Sequence, residues 1–341
     1  MTARPQVSVV IPTYQRRESV LRALAALGRQ TLPADAYEVI VVVDGSTDGT
    51  AAAVRRLAVP YALSVVEGPN RGRAGACNAG IRAAAGDVVV LLDDDMEAAP
   101  GFIAAHRQAH EGSTERAVVG AAPIVVGPSS PPFVRYMADG FRGRLARLSQ
   151  PGYQLTFRDA YTGNFSTRRE VLLRVGGFDD AFRVYGHEDY ELALRLQRAG
   201  VQLVYRADAC AHQHYEKTFA SFARDGIARG RTAVLFAAKH PDIVDRLKLA
   251  EFHRETRTWR AMRGLLLGLD RVTDRVPTWV GAAVERLERR GPARLHRYYT
   301  MAIDYFYWHG ARAALREQHG NNPYGAAPLS ASSTARRIGE A

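Results

Sequence analysis

Three consecutive aspartates, Asp93, Asp94 and Asp95, follow directly on the apolar run at residues 88–92. Carboxylates crowded into one turn repel one another, and a cation relieves the repulsion. Hard oxygen donors suit Mg2+ or Mn2+, and such an ion can neutralise charge building on a departing phosphate group. The triplet also has a plainer explanation, an acidic turn capping a helix that the sequence starts near Pro100. A second acidic cluster, His187-Glu188-Asp189-Tyr190-Glu191, opens a stretch with helical spacing through Leu192 and Leu196. Backbone N–H groups and the helix dipole favour acidic residues there without any chemistry. Taken together, the clusters offer a division of labour: one set of carboxylates to hold a metal, and one carboxylate to take a proton during group transfer.

The elements that must position these groups are legible as a pattern. Short β-branched runs at residues 7–11, 38–44, 63–67, 88–92 and 117–126 alternate with helical stretches, a βαβ order. Near-continuous apolar strands predict an α/β fold, a Rossmann-like, mostly parallel sheet with helices on both faces. Ligands then gather at the carboxyl ends of the strands. Pro12-Thr13-Tyr14, Asp44-Gly45-Ser46 and the aspartate triplet stand at three such ends. Residues 128–152, with Ser-Ser-Pro-Pro at 129–132 and then Arg142, Arg144 and Arg147, predict a mobile loop or lid. Order returns at 161–200, and residues 201–205 read as a strand. Past residue 215 the chain reads as helical, with Leu295, Tyr298, Tyr299, Ala302, Ile303 and Phe306 on one face. That face predicts packing against the catalytic part, with docking on a membrane or a lipid-linked acceptor as its alternative.

Composition narrows the classes. A chain of 341 residues, 47% hydrophobic and 24% charged, can bury a large core. Residues 1–6 contain no apolar leader, and no apolar run reaches bilayer length. Cys77 and Cys210 lie far apart, without zinc-site spacing or disulfide density, which predicts a cytoplasmic protein. The formal charge of +11 rests on 46 basic residues of which three are lysine, an arginine preference that does not point to nucleic acid. The excess is uneven: residues 1–230 hold 27 basic and 24 acidic groups, and residues 231–341 hold 19 and 11. A solvated helical surface explains this, and attraction to an anionic lipid or acceptor is the functional alternative. No G-x-G-x-x-G follows the first strand and no lysine stands in a phosphate loop, which argues against nicotinamide enzymes and P-loop nucleotidases. The string DGSTDGT mimics the start of a calcium loop, but its twelfth position is Arg55.

The strings VSVVIPTYQRRES, VVVDGSTDGT, NRGRAGACNAGIRAAAGDVVVLLDDD and GGFDDAFRVYGHEDYELALRL resemble the family 2 glycosyltransferases of GT-A fold, over about residues 6–215. The resemblance implies inverting transfer of a sugar from a nucleotide diphosphate, UDP favoured, to an acceptor hydroxyl of a saccharide, lipid-linked glycan or natural product. It implies that Pro12, Thr13, Tyr14 and Asp44 hold the base, and that Asn78 and Arg73 lie near the donor. Cys77 stands where the family usually carries arginine; Arg71 and Arg73 are close enough in sequence to substitute, and Arg73 is the expected donor contact. Asp93 is implied on the ribose or metal, Asp94 on the donor and Asp95 as the direct metal ligand. Asp189 is implied as general base, with Glu188 on the acceptor or exchanged with it in role. His212, rather than His214, is implied to complete the metal shell, and at most one of the two is expected to reach it. Asn164 is implied on the acceptor side. The domains expected are a catalytic part, 1–215, with a donor half to about 125 and an acceptor half beyond, then a helical extension, 216–319, and a disordered tail, 320–341. A sugar nucleotidyltransferase and a non-catalytic sugar-nucleotide-binding subunit are the alternatives.

Overall fold

The computed structural model describes residues 4–291 and 295–320, so the tail expected beyond residue 320 lies outside the described residues. Strands and helices follow in the order β1 (Val7–Thr13), α1 (Arg17–Leu27), β2 (Tyr37–Asp44), α2 (Thr50–Arg55), β3 (Ala62–Gly68), α3 (Gly72–Ala83), β4 (Val88–Leu92), β5 (Met96–Ala98), α4 (Phe102–Ala109) and β6 (Arg116–Ala121). Then come α5 (Pro132–Leu148), β7 (Asn164–Arg168), α6 (Arg169–Arg174), α7 (Glu188–Arg198), β8 (Gln202–Gln213), α8 (Phe219–Lys239), α9 (Arg257–Leu269), α10 (Val276–Arg290) and α11 (Leu295–Gly320).

The strands form one sheet in the order β3-β2-β1-β4-β7-β6-β8-β5. The pairs β1 with β2, β1 with β4, β2 with β3 and β6 with β8 run parallel. The pairs β4 with β7, β6 with β7 and β5 with β8 run antiparallel, so the sheet is mixed beyond β4. Apolar runs such as residues 39–43 and 88–92 are buried along their whole length, as strands covered on both faces must be. The triplet does not cap a helix. Strand β5 intervenes, and α4 begins behind Gly101 with no side-chain cap.

Three sequence expectations are corrected. The supposed lid at 128–152 contains the helix α5, in which Phe133, Val134, Ala138 and Leu148 are buried at helical spacing. Pro132 stands at its first position, where a missing N–H costs nothing. Strand β6 stops at Ala121 instead of running to 126, because Pro123 supplies no ladder N–H and the register shifts at Gly120/Ala121. Strand β8 runs on to Gln213 instead of ending at 205, because it gains β5 as a second partner.

The chain divides into two compact units. One comprises the chain to Ser130 with Met137–Arg183 and Glu188–Glu216; the other comprises Pro131–Tyr136, Val184–His187 and everything from Lys217 onward. Two short segments, 131–136 and 184–187, thus belong with the C-terminal helices although the sequence reading places them in the catalytic part. In the second unit α8 and α11 approach closely, since a methyl group at Gly230 would collide with the Tyr307 carbonyl. Tyr299, Tyr305, Phe306 and Trp308 on α11 are buried, with Tyr299 against Phe133 and Phe219. Apart from Tyr298, which is exposed, the aromatic face of α11 is core, which removes that face as a membrane-docking element.

Candidate active site

Leu92, the last residue of β4, pairs with Asn164 at the start of the antiparallel β7, so the chain leaving β4 runs beside the chain entering β7. The Asp93 N–H donates to the Gly163 carbonyl at 2.9 Å. Past that point the three carboxylates diverge. Asp94 turns inward, accepting from Thr13 Oγ1 at 2.7 Å and from Arg16 at 3.2 Å. Burial pushes its carboxyl up to about 7, against the lowering by Arg16 and the Thr13 hydrogen bond. Asp95 is also buried. It meets Arg16 at 3.4 Å and the Gln213 amide at 3.3 Å, and burial, followed by the charge of Asp93, raises its carboxyl. Asp93 is the most open of the three, its side chain 33% exposed.

Arg73, in the first turn of α3, joins the two acidic clusters. It donates to Asp93 Oδ1 at 2.6 Å and to Thr162 Oγ1 at 2.6 Å, and reaches Asp189 Oδ1 at 3.4 Å. The Thr162 hydroxyl in turn donates to Asp189 Oδ1. Arg73 Nη1 also lies 3.8 Å from the sulfur of Cys77, one helical turn on. Burial pushes that thiol up to about 12, so it contributes no charge. Arg73 thus brings a guanidinium beside position 77, through the i, i+4 neighbourhood of a helix face. Glu188 is buried beside Asp189 at the start of α7, behind His187, whose φ of +64° is rare outside glycine. A methyl group at Gly163 would collide with the Asp93 carboxyl, so that glycine keeps the aspartate in place.

The other predicted residues divide. Pro12 and Thr13 end β1, Tyr14 beyond them is 51% exposed, and Asp44 ends β2, its Oδ1 accepting from the Arg71 N–H at 2.8 Å. Thr13 is committed to Asp94 rather than facing solvent. Gln15, at a φ of +54°, bonds Ser46 through its backbone N–H at 2.9 Å and Thr47 through its amide at 2.9 Å, lacing the two loops together. Asn78 is not turned toward a donor: its amide bonds the Phe178 carbonyl at 2.9 Å and Asp180 at 2.8 Å, and accepts from the Phe178 N–H at 2.8 Å. Asn164 is fully buried and does not line an acceptor surface. It donates to the carbonyls of Ala121 and Ala209 and meets His106 Nε2 at 2.8 Å.

The metal-shell reading of His212 is also corrected. Side chains alternate along β8, and the one that reaches Asp95 belongs to Gln213. His212 is exposed on the other face, in register with Glu97, and His214 Nε2 bonds Glu97 at 2.8 Å. Residues two apart on a strand share a face, so both imidazoles are turned from the triplet together. Arg16, Thr162 and Gln213 were missed. Only Arg16 carried a signal, as a basic residue in the loop leaving β1.

Among the described residues no group of three or more His, Cys, Asp or Glu side chains is arranged to hold a metal ion unaided. Asp93 and Asp95 nevertheless fit a hard divalent cation, because Mg2+-type sites commonly use one or two carboxylates and complete the shell with substrate phosphates and water. Both carboxylates already attract cationic groups, Arg73 and Arg16.

This fold, with an acidic triplet closing β4 and a second carboxylate at the mouth of α7, defines a glycosyltransferase of GT-A type. The chain belongs to glycosyl transferase family 2, whose model matches residues 8–176; a model described as N-terminal domain of galactosyltransferase matches residues 142–219. Validoxylamine A glucosyltransferase of Streptomyces hygroscopicus subsp. jinggangensis is 27% identical over 314 residues, covering 78% of this chain and 72% of that protein. In structure the chain resembles the mannosyltransferase PcManGT from Pyrobaculum calidifontis, solved with GDP-Man and Mn2+, at a TM-score of 0.59 and 23% identity, covering 90% and 88% of the two chains. It also resembles TarS residues 1–349 from S. aureus, solved with UDP-GlcNAc, at a TM-score of 0.52 and 16% identity, covering 90% and 91%.

Proposed function

We propose that this glycosyltransferase inverts configuration in a single displacement, moving a sugar from a nucleotide diphosphate donor to an acceptor hydroxyl with Asp189 as general base. The observation that carries this reading is the Arg73 guanidinium, which bonds Asp93 at 2.6 Å and reaches Asp189 at 3.4 Å. The Asp93 carboxylate and a proton acceptor thus meet the two terminal nitrogens of a single guanidinium. In the reaction the acceptor oxygen attacks the anomeric carbon and its proton passes to Asp189. The bond from the anomeric carbon to the diphosphate breaks, and the nucleotide diphosphate departs. Thr162 holds Asp189 by a hydrogen bond, and Arg73 stands where negative charge develops. A divalent cation held by Asp93 and Asp95, when bound, would supply charge neutralisation on the leaving diphosphate.

Support for a metal and a nucleotide sugar comes from PcManGT with GDP-Man and Mn2+ and from TarS with UDP-GlcNAc. For the base, UDP is favoured because the Asp44 carboxylate at the end of β2 suits the N–H of uracil. Replacing Asp189 with Asn should lower kcat by about two to four orders of magnitude, while calorimetry with Mn2+ present should find donor affinity retained. An unchanged kcat would take the base role from Asp189, with Glu188→Gln as the next variant to measure.

A further inference from the structure

The C-terminal unit carries a surface chemistry of its own. Among the described residues eleven large hydrophobic side chains stand exposed, and four of them, Leu265, Leu269, Val272 and Trp279, fall within fifteen consecutive positions. Leu265 and Leu269 lie one turn apart on α9, with exposed Ala261 one turn earlier, so spacing by four sets them on one stripe. The inward side of the same helix is Arg263 and Leu267, both buried, with Arg263 paired to Asp304 at 2.9 Å. Val272, 84% exposed, follows in the turn after α9, and Trp279, 53% exposed, stands in the first turns of α10. Isolated apolar surface residues need no explanation, but a run of them on consecutive elements marks an interaction surface.

Charge frames this run. Between residues 257 and 290 basic side chains outnumber acidic ones eight to four. Arg257, Arg260, Arg271 and Arg275 have no ion-pair partner among the described residues. Beside the start of α9 lies a cavity of about 620 Å³, lined by Arg257, Arg260, Arg263, His253 and Phe252. Its size and basic lining suit a phosphate-bearing headgroup. No helix among the described residues is long and apolar enough to cross a membrane, so contact would be with the bilayer interface.

We propose that α9, the turn after it and the start of α10 form a docking surface for an anionic lipid bilayer. Leu265, Leu269, Val272 and Trp279 enter the boundary between headgroups and acyl chains, where tryptophan is favoured. The four arginines face lipid phosphates. A second copy of the chain fits the same face poorly, because a two-fold contact would set one arginine-rich surface against another. None of these residues belongs to the donor site, and the test does not depend on Asp189.

The test is co-sedimentation of the full chain with vesicles of phosphatidylcholine alone or with roughly a third phosphatidylglycerol added. At least about tenfold more protein should bind the anionic vesicles, high salt should release it, and tryptophan emission should shift to the blue. Trp279→Phe should remove most of that shift. A double variant, Leu265→Asp with Val272→Asp, should keep the wild-type Tm, since both sites are exposed, and lose at least about tenfold in vesicle binding. Asp189→Asn should bind vesicles like the wild type. The proposal is overturned by no partition onto anionic vesicles, by equal binding to neutral ones or by unchanged binding of the double variant. It is equally overturned if light scattering finds a dimer that the aspartate substitutions dissociate.

Discussion

At the scale of the residue, neighbouring carboxylates acquire different tasks from their surroundings. Asp94 is buried against Thr13 and Arg16, whereas Asp93 stays open and meets Arg73. The sequence shows three equivalent aspartates, because nothing in a run of identical side chains says which way each turns. Gly163 tests this assignment. In Gly163→Ala the new methyl displaces the Asp93 carboxyl, a flexible group, so the fold should accept it. We expect kcat/KM to fall at least about tenfold, the consequence of a misplaced catalytic contact, with Tm nearly unchanged. Wild-type kcat/KM would show that the position of Asp93 does not matter.

At the scale of the element, β7 couples the site to the sheet. Asn164 ties it to Ala121, Ala209 and His106 within the core. Asn164→Ala leaves those groups without partners, which should cost about 3 kcal/mol in urea unfolding, while kcat per folded molecule is kept. Stability near wild type together with a lost kcat would return Asn164 to the acceptor side. The strands at 7–11, 38–44, 63–67 and 88–92 were legible because continuous apolar runs carry their own signal. The helix α5 was not: its prolines and serines read as a loop, and its helical spacing becomes decisive only once Phe133, Val134 and Ala138 have a core to enter. The length of β8 was hidden as well, since a strand continues as far as it finds partners, and β5 is three residues long.

At the scale of the whole molecule, three desolvated imidazoles, His106 and His110 in the core and His187 partly enclosed, set an acid limit. Burial lowers His106 to about 4, and His110 and His187 to about 3. As pH falls through about 6.5 the unfolded chain takes up protons on these rings and the native state does not, so stability present above that pH is lost toward pH 4. Asp94, raised to about 7, and Asp44 and Asp95, also raised by burial, act with the opposite sign and offset part of that loss. Tm should therefore drop between pH 7 and pH 5. In His110→Gln the slope of unfolding free energy should be shallower by up to about 1.4 kcal/mol per pH unit; an unchanged slope would remove His110 from the account. The sequence by itself determined the alternation of elements, the acidic turn beyond β4, the acidic mouth of α7 and the family resemblance, because these are local patterns of polarity and spacing. Only the tertiary structure decided that Arg73 spans Asp93 and Asp189, that Gln213 and not His212 meets Asp95, and that Asn78 and Asn164 serve the fold. Those facts depend on which chain segments lie side by side and which face of a strand is turned inward, and pairings between residues far apart in sequence leave no trace in either one alone.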